Sequence, residues 1–121
     1  MTETRKATLS GQLSVAHTLR DGVHAVTLHG EIDHTVKTQL TQALQPTDTT
    51  TPFRIVLDLS GVTFMDSSGI NVLVTLHQTA IRTQGWLRLA APPEAVQRVL
   101  HVVGLDGVIP CHPTLDQALT A

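Results

Sequence analysis

The chain has 121 residues, which is the size of one domain, and we expect a single domain over residues 1–121. Hydrophobic residues make up 41% and charged residues 15%, so the chain has enough apolar material for a core and too few charges for a disordered tail. A net charge of -2 gives no attraction to nucleic acid or anionic lipid, and 2% aromatic residues leave no set of rings for stacking bases. These numbers argue against direct binding to nucleic acid or membranes.

The cysteine content and the N-terminus favour a reducing, cytoplasmic location. Cys111 is the single cysteine, so no intrachain disulfide can form, and its surroundings identify no base that would make it a nucleophile. Met1–Ser10 lacks the apolar stretch of a signal peptide, and no run approaches the roughly 18 apolar residues of a membrane span. We expect residues 1–9 to be a flexible N-terminal segment.

A β-hairpin opens the predicted fold. Leu13–Leu19 and Val23–His29 are predicted strands, and the Asp21-Gly22 pair between them is typical of a tight hairpin turn. Gly30–Asp33 is expected to end the second strand and to supply an acidic cap for a helix from about His34 to Gln45.

The middle of the chain predicts a central strand followed by a long helix. Pro46–Pro52 indicates a solvent loop, and the β-branched run Phe53–Leu59 favours a strand buried on both faces. Asp66–Gly69 then precedes a helix that ends near Gly85. Its predicted apolar stripe is Ile70, Leu73, Val74, His77 and Ile81, widened by Val72 and Leu76.

The C-terminal third predicts a further alternation of strands and helices. We expect a strand over Trp86–Ala90, a helix from Pro92 to Val103, a last strand over Gly107–Ile109 and a short helix over Thr114–Leu119. The whole pattern indicates an α/β fold, in which helices pack against a mixed sheet of about five strands that is parallel in its later half.

Two loops are the candidate functional segments, because α/β sheets place function where strands end and helices begin. They are Gly30–His34 and Met65–Gly69. In the second loop, Asp66 or Ser67 can be simply an N-cap, and Gly69 can simply permit close packing. The same helix N-terminus also favours negative charge, so a phosphoryl group on Ser67 is compatible with capping.

Enzyme chemistry fits these loops poorly. Ser67 and Gly69 resemble half of a nucleophile elbow, but Met65 occupies the first glycine position of that motif. A phospho-receiver domain with Asp58 as acceptor would need an acidic pair after the first strand and a lysine after the last, and the only lysines are Lys6 and Lys37. We therefore expect a protein that is not an enzyme.

Metal and cofactor sites are not expected. None of the seven histidines pairs with another at the i, i+4 spacing that would place two ligands on one helix face. His77 is interpreted as a hydrogen-bonded core or boundary residue, and Trp86 as a packing residue. Phosphate-binding and dinucleotide motifs are both missing, so any nucleotide would come with a partner.

Two sequence runs resemble the STAS domain of bacterial anti-sigma factor antagonists. They are GEIDH at Gly30–His34 and VLDLSGVTFMDSSGI at Val56–Ile70, and Val103–Leu105 before a strand and terminal helix also fits. The resemblance implies that the unphosphorylated protein binds an anti-sigma factor serine kinase of the GHKL type and so releases a sigma factor. It implies phosphorylation of Ser67, reversal by a PPM-type phosphatase, and a partner-binding surface of Asp33, Asp66, Ser67, Ser68 and Gly69.

The resemblance leaves an alternative function open. A STAS module can also be a scaffold or transporter accessory without a phosphorylation cycle, although the presence of both Asp66 and Ser67 favours the switch. Asn71 departs from the small residue that many relatives carry there, which bears on partner identity. A monomer is expected, since no segment has the pattern of a dimer seam.

Overall fold

The computed structural model describes residues 4–9 and 13–121, which form a mixed six-stranded sheet with four α-helices and one 3-10 helix. The strands are Thr4–Leu9 (β1), Leu13–Arg20 (β2), Val23–Ile32 (β3), Arg54–Met65 (β4), Trp86–Ala90 (β5) and Cys111–His112 (β6). The helices are Lys37–Leu44 (α1), Ser67–Arg82 (α2), Glu94–Val102 (α3), Leu115–Thr120 (α4) and the 3-10 helix Leu105–Gly107. The predicted α/β class is confirmed, with six strands where about five were expected.

The strands lie in the sheet in the order in which they occur in the chain. β1, β2 and β3 are antiparallel neighbours, and the pairs β3–β4, β4–β5 and β5–β6 are parallel. The sheet is therefore parallel in its later half, as predicted. Parallel strands of this kind are joined by helical crossovers, which α1, α2 and α3 provide.

The predicted hairpin is the β2–β3 pair. Asp21 and Gly22 both have positive φ, 49° and 81°, as a two-residue type I′ turn requires, and Arg20 pairs directly with Val23. β1 precedes this hairpin and pairs with β2 over its whole length. Within the segment 1–9 that was expected to be flexible, Thr4–Leu9 forms backbone pairs along β2, and residues 1–3 lie outside the described residues.

Both strands that lead to the candidate loops are longer than predicted. β3 continues to Ile32 and β4 continues to Met65, beyond the ends expected near His29 and Leu59. Gly30 is accommodated within β3 at a φ of 119°, and the β3–β4 register shifts on both sides of it. A bulge therefore keeps Gly30 within β3, although the sequence pattern predicts that the strand ends there.

The main core lies between one face of the sheet and the helices α1, α2 and α3, and a smaller cluster lies under α4 on the other face. Ile55, Leu57 and Leu59 of β4 point into the main core, whereas Val56 joins Ala118 of α4 in the smaller one. β4 is therefore buried on both faces, as its sequence predicts.

Helix boundaries and buried faces differ from the expectations at three places. α1 begins at Lys37, after a turn, so Asp33 is not its cap. The buried face of α2 is shifted by about one residue from the predicted stripe and consists of Gly69, Val72, Leu73, Leu76 and Ala80. Ile81 is exposed, and His77 Nδ1 is buried without a hydrogen bond among the described residues, which corrects the hydrogen-bonded role expected for it.

The last strand also differs in position from the prediction. The segment predicted as a strand over Gly107–Ile109 follows a 3-10 helix, and the last strand is the two-residue β6. Ile109 is fully buried but points into the core from a turn.

The Arg88 guanidinium lies over the Trp86 ring, with Cζ 3.6 Å from the ring centroid, and it donates a hydrogen bond to Ala118 O near the end of α4. Within the described part of the chain, no helix is both long and apolar enough to cross a membrane.

We predict that Leu57→Ala lowers the free energy of unfolding by about 2–5 kcal/mol, because Leu57 is fully buried and truncation leaves a cavity between sheet and helices. Leu19→Ala is the matched control, since Leu19 is also a strand leucine but is 45% exposed, and it should cost less than about 1 kcal/mol. Urea denaturation measures both. Equal losses in the two variants would contradict the assigned core.

Candidate functional site

The parallel pairing of β3 and β4 brings the two candidate loops together. Ile32 pairs with Met65 at the last register position of the two strands, and Asp66 N donates to Ile32 O at 3.3 Å. Asp33 follows Ile32 and Asp66 follows Met65, so both acidic residues leave the sheet at its carboxyl edge. The expected neighbourhood of Asp33, Asp66 and Ser67 is therefore present in the structure.

Asp66 is the N-cap of α2. Its backbone is extended, its Oδ1 accepts from Ser68 N at 2.8 Å, and its carbonyl accepts from Ile70 N at 3.2 Å. This arrangement satisfies one of the amide groups that a helix N-terminus leaves without an intrahelical partner. Of the two capping candidates, the structure assigns the role to Asp66, and Ser67 is the first residue of the helix.

Ser67 and Ser68 differ in their accessibility, although they are adjacent. Ser67 is exposed, whereas Ser68 is half-buried and supplies its amide to the Asp66 carboxylate. The Ser67 hydroxyl is not part of the cap. A group attached to Ser67 Oγ would project from the first turn of α2, near the positive end of the helix dipole, without displacing a capping hydrogen bond.

Gly69 is required by the close approach of α2 to the strand ends. A Cβ at this position would collide with Met65 Cγ and would lie 3.1 Å from Ile32 Cγ2. Gly69 is buried, so it positions the site rather than presenting a surface to a partner. Ile32 and Met65 are themselves nearly inaccessible, at 2% and 5% exposure, so neither has room to retreat.

Asp33 is held in a local turn by Thr35. Asp33 Oδ1 accepts from both Thr35 N, at 2.9 Å, and Thr35 Oγ1, at 2.5 Å. These hydrogen bonds, first from the side chain and then from the backbone, lower the pKa of Asp33 below its ordinary value of 3.8. Asp33 is therefore a carboxylate at neutral pH and presents a negative charge beside α2.

Thr35 and Phe64 belong to this site although the sequence pattern does not single them out. The signal for Thr35 is the Asp-x-Thr spacing of an Asx-type turn, which recurs with the same two hydrogen bonds at Asp48 and Thr50. Phe64 is 47% exposed and pairs with Glu31, one register position before Ile32 and Met65, so a large apolar side chain is exposed at the same end of the sheet.

The other chemical candidates are not part of this site. Burial, followed by the Asp106 carboxylate, raises the pKa of the Cys111 thiol, which keeps it protonated and weakly nucleophilic. Across residues 4–9 and 13–121, no three histidine, cysteine or acidic side chains converge on one point in a way that could hold a metal ion.

Comparison with known proteins identifies the fold and the family. The STAS domain profile matches residues 14–118, nearly the whole chain. A crystal structure of an anti-sigma factor antagonist from Mycobacterium paratuberculosis superposes with a TM-score of 0.74 at 32% identity, covering 99% of this chain and 92% of that one. The chain belongs to the STAS domain family.

Individual relatives show which group of STAS domain proteins this chain resembles. Anti-sigma-F factor antagonist RsfA of Mycobacterium tuberculosis is 36% identical over 103 residues, which cover 80% of this chain and 79% of the relative. An anti-sigma F factor antagonist of Paenibacillus polymyxa is 32% identical over 103 residues, covering 82% and 86%. Within the STAS domains, the chain groups with the anti-sigma factor antagonists, as its two motifs imply.

We predict that Asp66→Ala lowers the free energy of unfolding by about 1 kcal/mol through loss of the cap on Ser68 N. Asp66→Asn keeps a side-chain oxygen that can accept the same hydrogen bond and should retain most of the stability. Thermal and urea denaturation of the two variants measure the difference. The assigned cap is wrong if the alanine and asparagine variants have the same stability as the original chain.

We also predict that Thr35→Val raises the pKa of Asp33 toward its ordinary value, because both the hydroxyl hydrogen bond and the turn geometry are weakened. The sign follows from the lowered pKa: the turn stabilises the fold above the unfolded pKa and loses its effect as pH falls through the folded value. NMR titration of the side-chain carboxyl measures the change. Thr50→Val is the matched control, which should raise the pKa of Asp48 and leave the pKa of Asp33 unchanged.

Proposed function

We propose that this protein is a cytoplasmic anti-sigma factor antagonist whose binding is switched off by phosphorylation of Ser67. The observation that carries the proposal is the division of roles between Asp66, which caps α2, and Ser67, which is exposed at its first position. The relatives named as anti-sigma factor antagonists support the binding function. The unmodified site, with Asp33, Asp66, Ser67 and Ser68 around buried Gly69, is the proposed partner surface.

The switch acts at the surface and not through the fold. A phosphoryl group adds about -1.5 to -2 charge at neutral pH. The helix N-terminus tolerates that charge locally, but Asp33 and Asp66 already place carboxylates beside Ser67. A partner that covers the unmodified site would have to desolvate a phosphate among these carboxylates, which is costly unless new cationic partners are supplied.

The proposed partners are those that the resemblance to anti-sigma factor antagonists implies. The anti-sigma factor is a GHKL-type serine kinase that brings ATP, since this chain has no nucleotide motif, and transfers the terminal phosphoryl group to Ser67 Oγ. A PPM-type phosphatase hydrolyses the phosphoserine and restores binding. The antagonist itself carries no catalytic residue in this scheme, and its binding to the kinase releases the sigma factor.

A STAS scaffold or transporter accessory module without phosphorylation is the alternative function. The fold alone does not distinguish the two functions. The exposed Ser67 hydroxyl, outside the capping hydrogen bond, favours the switch. Incubation with ATP and the anti-sigma factor kinases of the source genome, followed by mass spectrometry of the Ser67 peptide, separates them. A chain that binds a kinase and remains unmodified on both Ser67 and Ser68 would favour the alternative.

We predict that Ser67→Asp weakens binding to the anti-sigma factor at least tenfold with a change of less than about 2 °C in Tm, because the added charge lies at a capped helix N-terminus. Ser67→Ala should abolish phosphorylation and retain binding. Isothermal titration calorimetry and differential scanning calorimetry measure the two quantities.

The matched control is Thr49→Asp, which places the same charge on an exposed residue before the start of β4, whereas Ser67 follows the end of that strand. It should leave binding unchanged. Tight binding by Ser67→Asp, or equal weakening by Thr49→Asp, would overturn the local electrostatic switch.

A further inference from the structure

The helix α4 is attached to the sheet by a contact that is separate from the main core. It covers the face opposite α1, α2 and α3, over a small cluster whose fully buried members are Val56, Ala90 and Ala118. Ala118 is the single fully buried residue among the six of α4, and Leu115 and Leu119 are half-buried at the edge of the cluster. Because an alanine side chain has little apolar area, burial holds α4 only weakly on the sheet.

The helix α4 is also too short to be stable without that contact. It has six residues, whereas isolated helices shorter than about 12–15 residues are marginal in water. Thr114 is its N-cap, and the Thr114 hydroxyl accepts a hydrogen bond from Gln117 N at 3.1 Å. One capping bond does not make so short a helix stable. The helical state of α4 therefore depends on the sheet, and undocking and unfolding of α4 are one event.

Arg88 of β5 supplies the polar part of the contact with α4. Arg88 alternates with Trp86 and Ala90 along the strand, so all three side chains leave the sheet on the face that α4 covers. Arg88 Nη1 donates to Ala118 O at 3.0 Å. This carbonyl lies in the last turn of α4, where a helix leaves its carbonyls without an intrahelical partner and where a cation is favourable. The Arg88 hydrogen bond therefore fastens the end of α4 to the sheet.

His112 of β6 opposes the docking of α4. His112 pairs with Ala90, and paired residues of neighbouring strands share a face of the sheet, so the imidazole lies on the side that α4 covers. Its Nε2 is buried and has no hydrogen-bond partner among the residues that the structure describes. A buried polar atom without a partner costs free energy. Because α4 also packs against β6, departure of α4 would admit water to this atom and remove the cost.

We propose that α4 is a strap that undocks from the sheet as a unit while the remaining fold stays intact. In the undocked state the helix is lost, His112 Nε2 is hydrated, and the apolar side chains of Val56 and Trp86 are exposed to solvent. The Arg88 hydrogen bond favours the docked state, and the buried His112 nitrogen favours the undocked one. The strap lies on the face of the sheet away from α2 and does not depend on the proposed switch at Ser67.

Native-state hydrogen exchange of the full chain tests the proposal. The amide of Ala118, which donates to Thr114 O, should have a protection factor at least 100-fold below that of the slowest amides of β4. Its opening should depend weakly on urea, because undocking exposes little surface. The emission of Trp86, the only tryptophan, should move to longer wavelength below the urea concentration of the main circular-dichroism transition. Ala118 exchange with the free energy and urea dependence of β4, or a Trp86 change confined to the main transition, would overturn the proposal.

Two substitutions should move the docking equilibrium in opposite directions. Arg88→Met removes the donor to Ala118 O but keeps a long side chain, and it should raise the exchange rate of the Ala118 amide about tenfold. His112→Leu replaces the unpaired nitrogen by an apolar group and should lower that rate about tenfold. Arg98→Met is the matched control, because Arg98 is 70% exposed and paired within α3, and it should leave the rate unchanged. An unchanged rate in Arg88→Met would contradict the strap even if His112→Leu failed to fold.

Discussion

The parallel pairing of β3 with β4 is the constraint on which the rest of the structure depends. Its final register pair, Ile32 with Met65, sets the point at which both chains leave the sheet and fixes the acidic loop beside the start of α2. The helix can begin there only because Gly69 leaves no side chain between α2 and these two residues. The strand register and the close contact at Gly69 therefore position the site, and both are formed by buried residues.

The neighbouring residues Asp66 and Ser67 have separate roles: Asp66 caps α2, and Ser67 is the proposed site of modification. Asp66 stabilises the helix by capping it, and the Ser67 hydroxyl takes no part in that cap. The proposed phosphorylation switch needs this separation, because a serine that also capped the helix would change the stability of the fold each time it was modified. The pair of threonine-held turns at Asp33 and Asp48 shows the same local chemistry used once at the site and once away from it.

Patterns with a strong local cause are those that the sequence predicts well. The turn at Asp21-Gly22, the doubly buried run Phe53–Leu59 and the loop before α2 each depend on a few adjacent residues. The failures involve tertiary pairing. β1 is polar and is a strand because β2 pairs with it, Gly30 is retained in β3 by a bulge, and Ile109 is buried from a turn that follows a 3-10 helix. Thr35 was not identified as a site residue, because the Asp-x-Thr spacing that forms its turn also occurs at Asp48 and Thr50, and spacing alone does not show which of the two turns lies beside α2.

Because strand order follows chain order, the residues of the Ser67 site all lie between β3 and the first turn of α2, in one continuous stretch of about a third of the chain. The strands and helices from β5 onward pack against that stretch and supply no residue to the site. Amino-acid changes in the two regions should therefore have different genetic signatures. Under the proposed function, changes around Ser67 should alter partner binding at every temperature. Core changes from Trp86 onward should instead give temperature-sensitive variants that are active in the cold and lose all activities together when warmed.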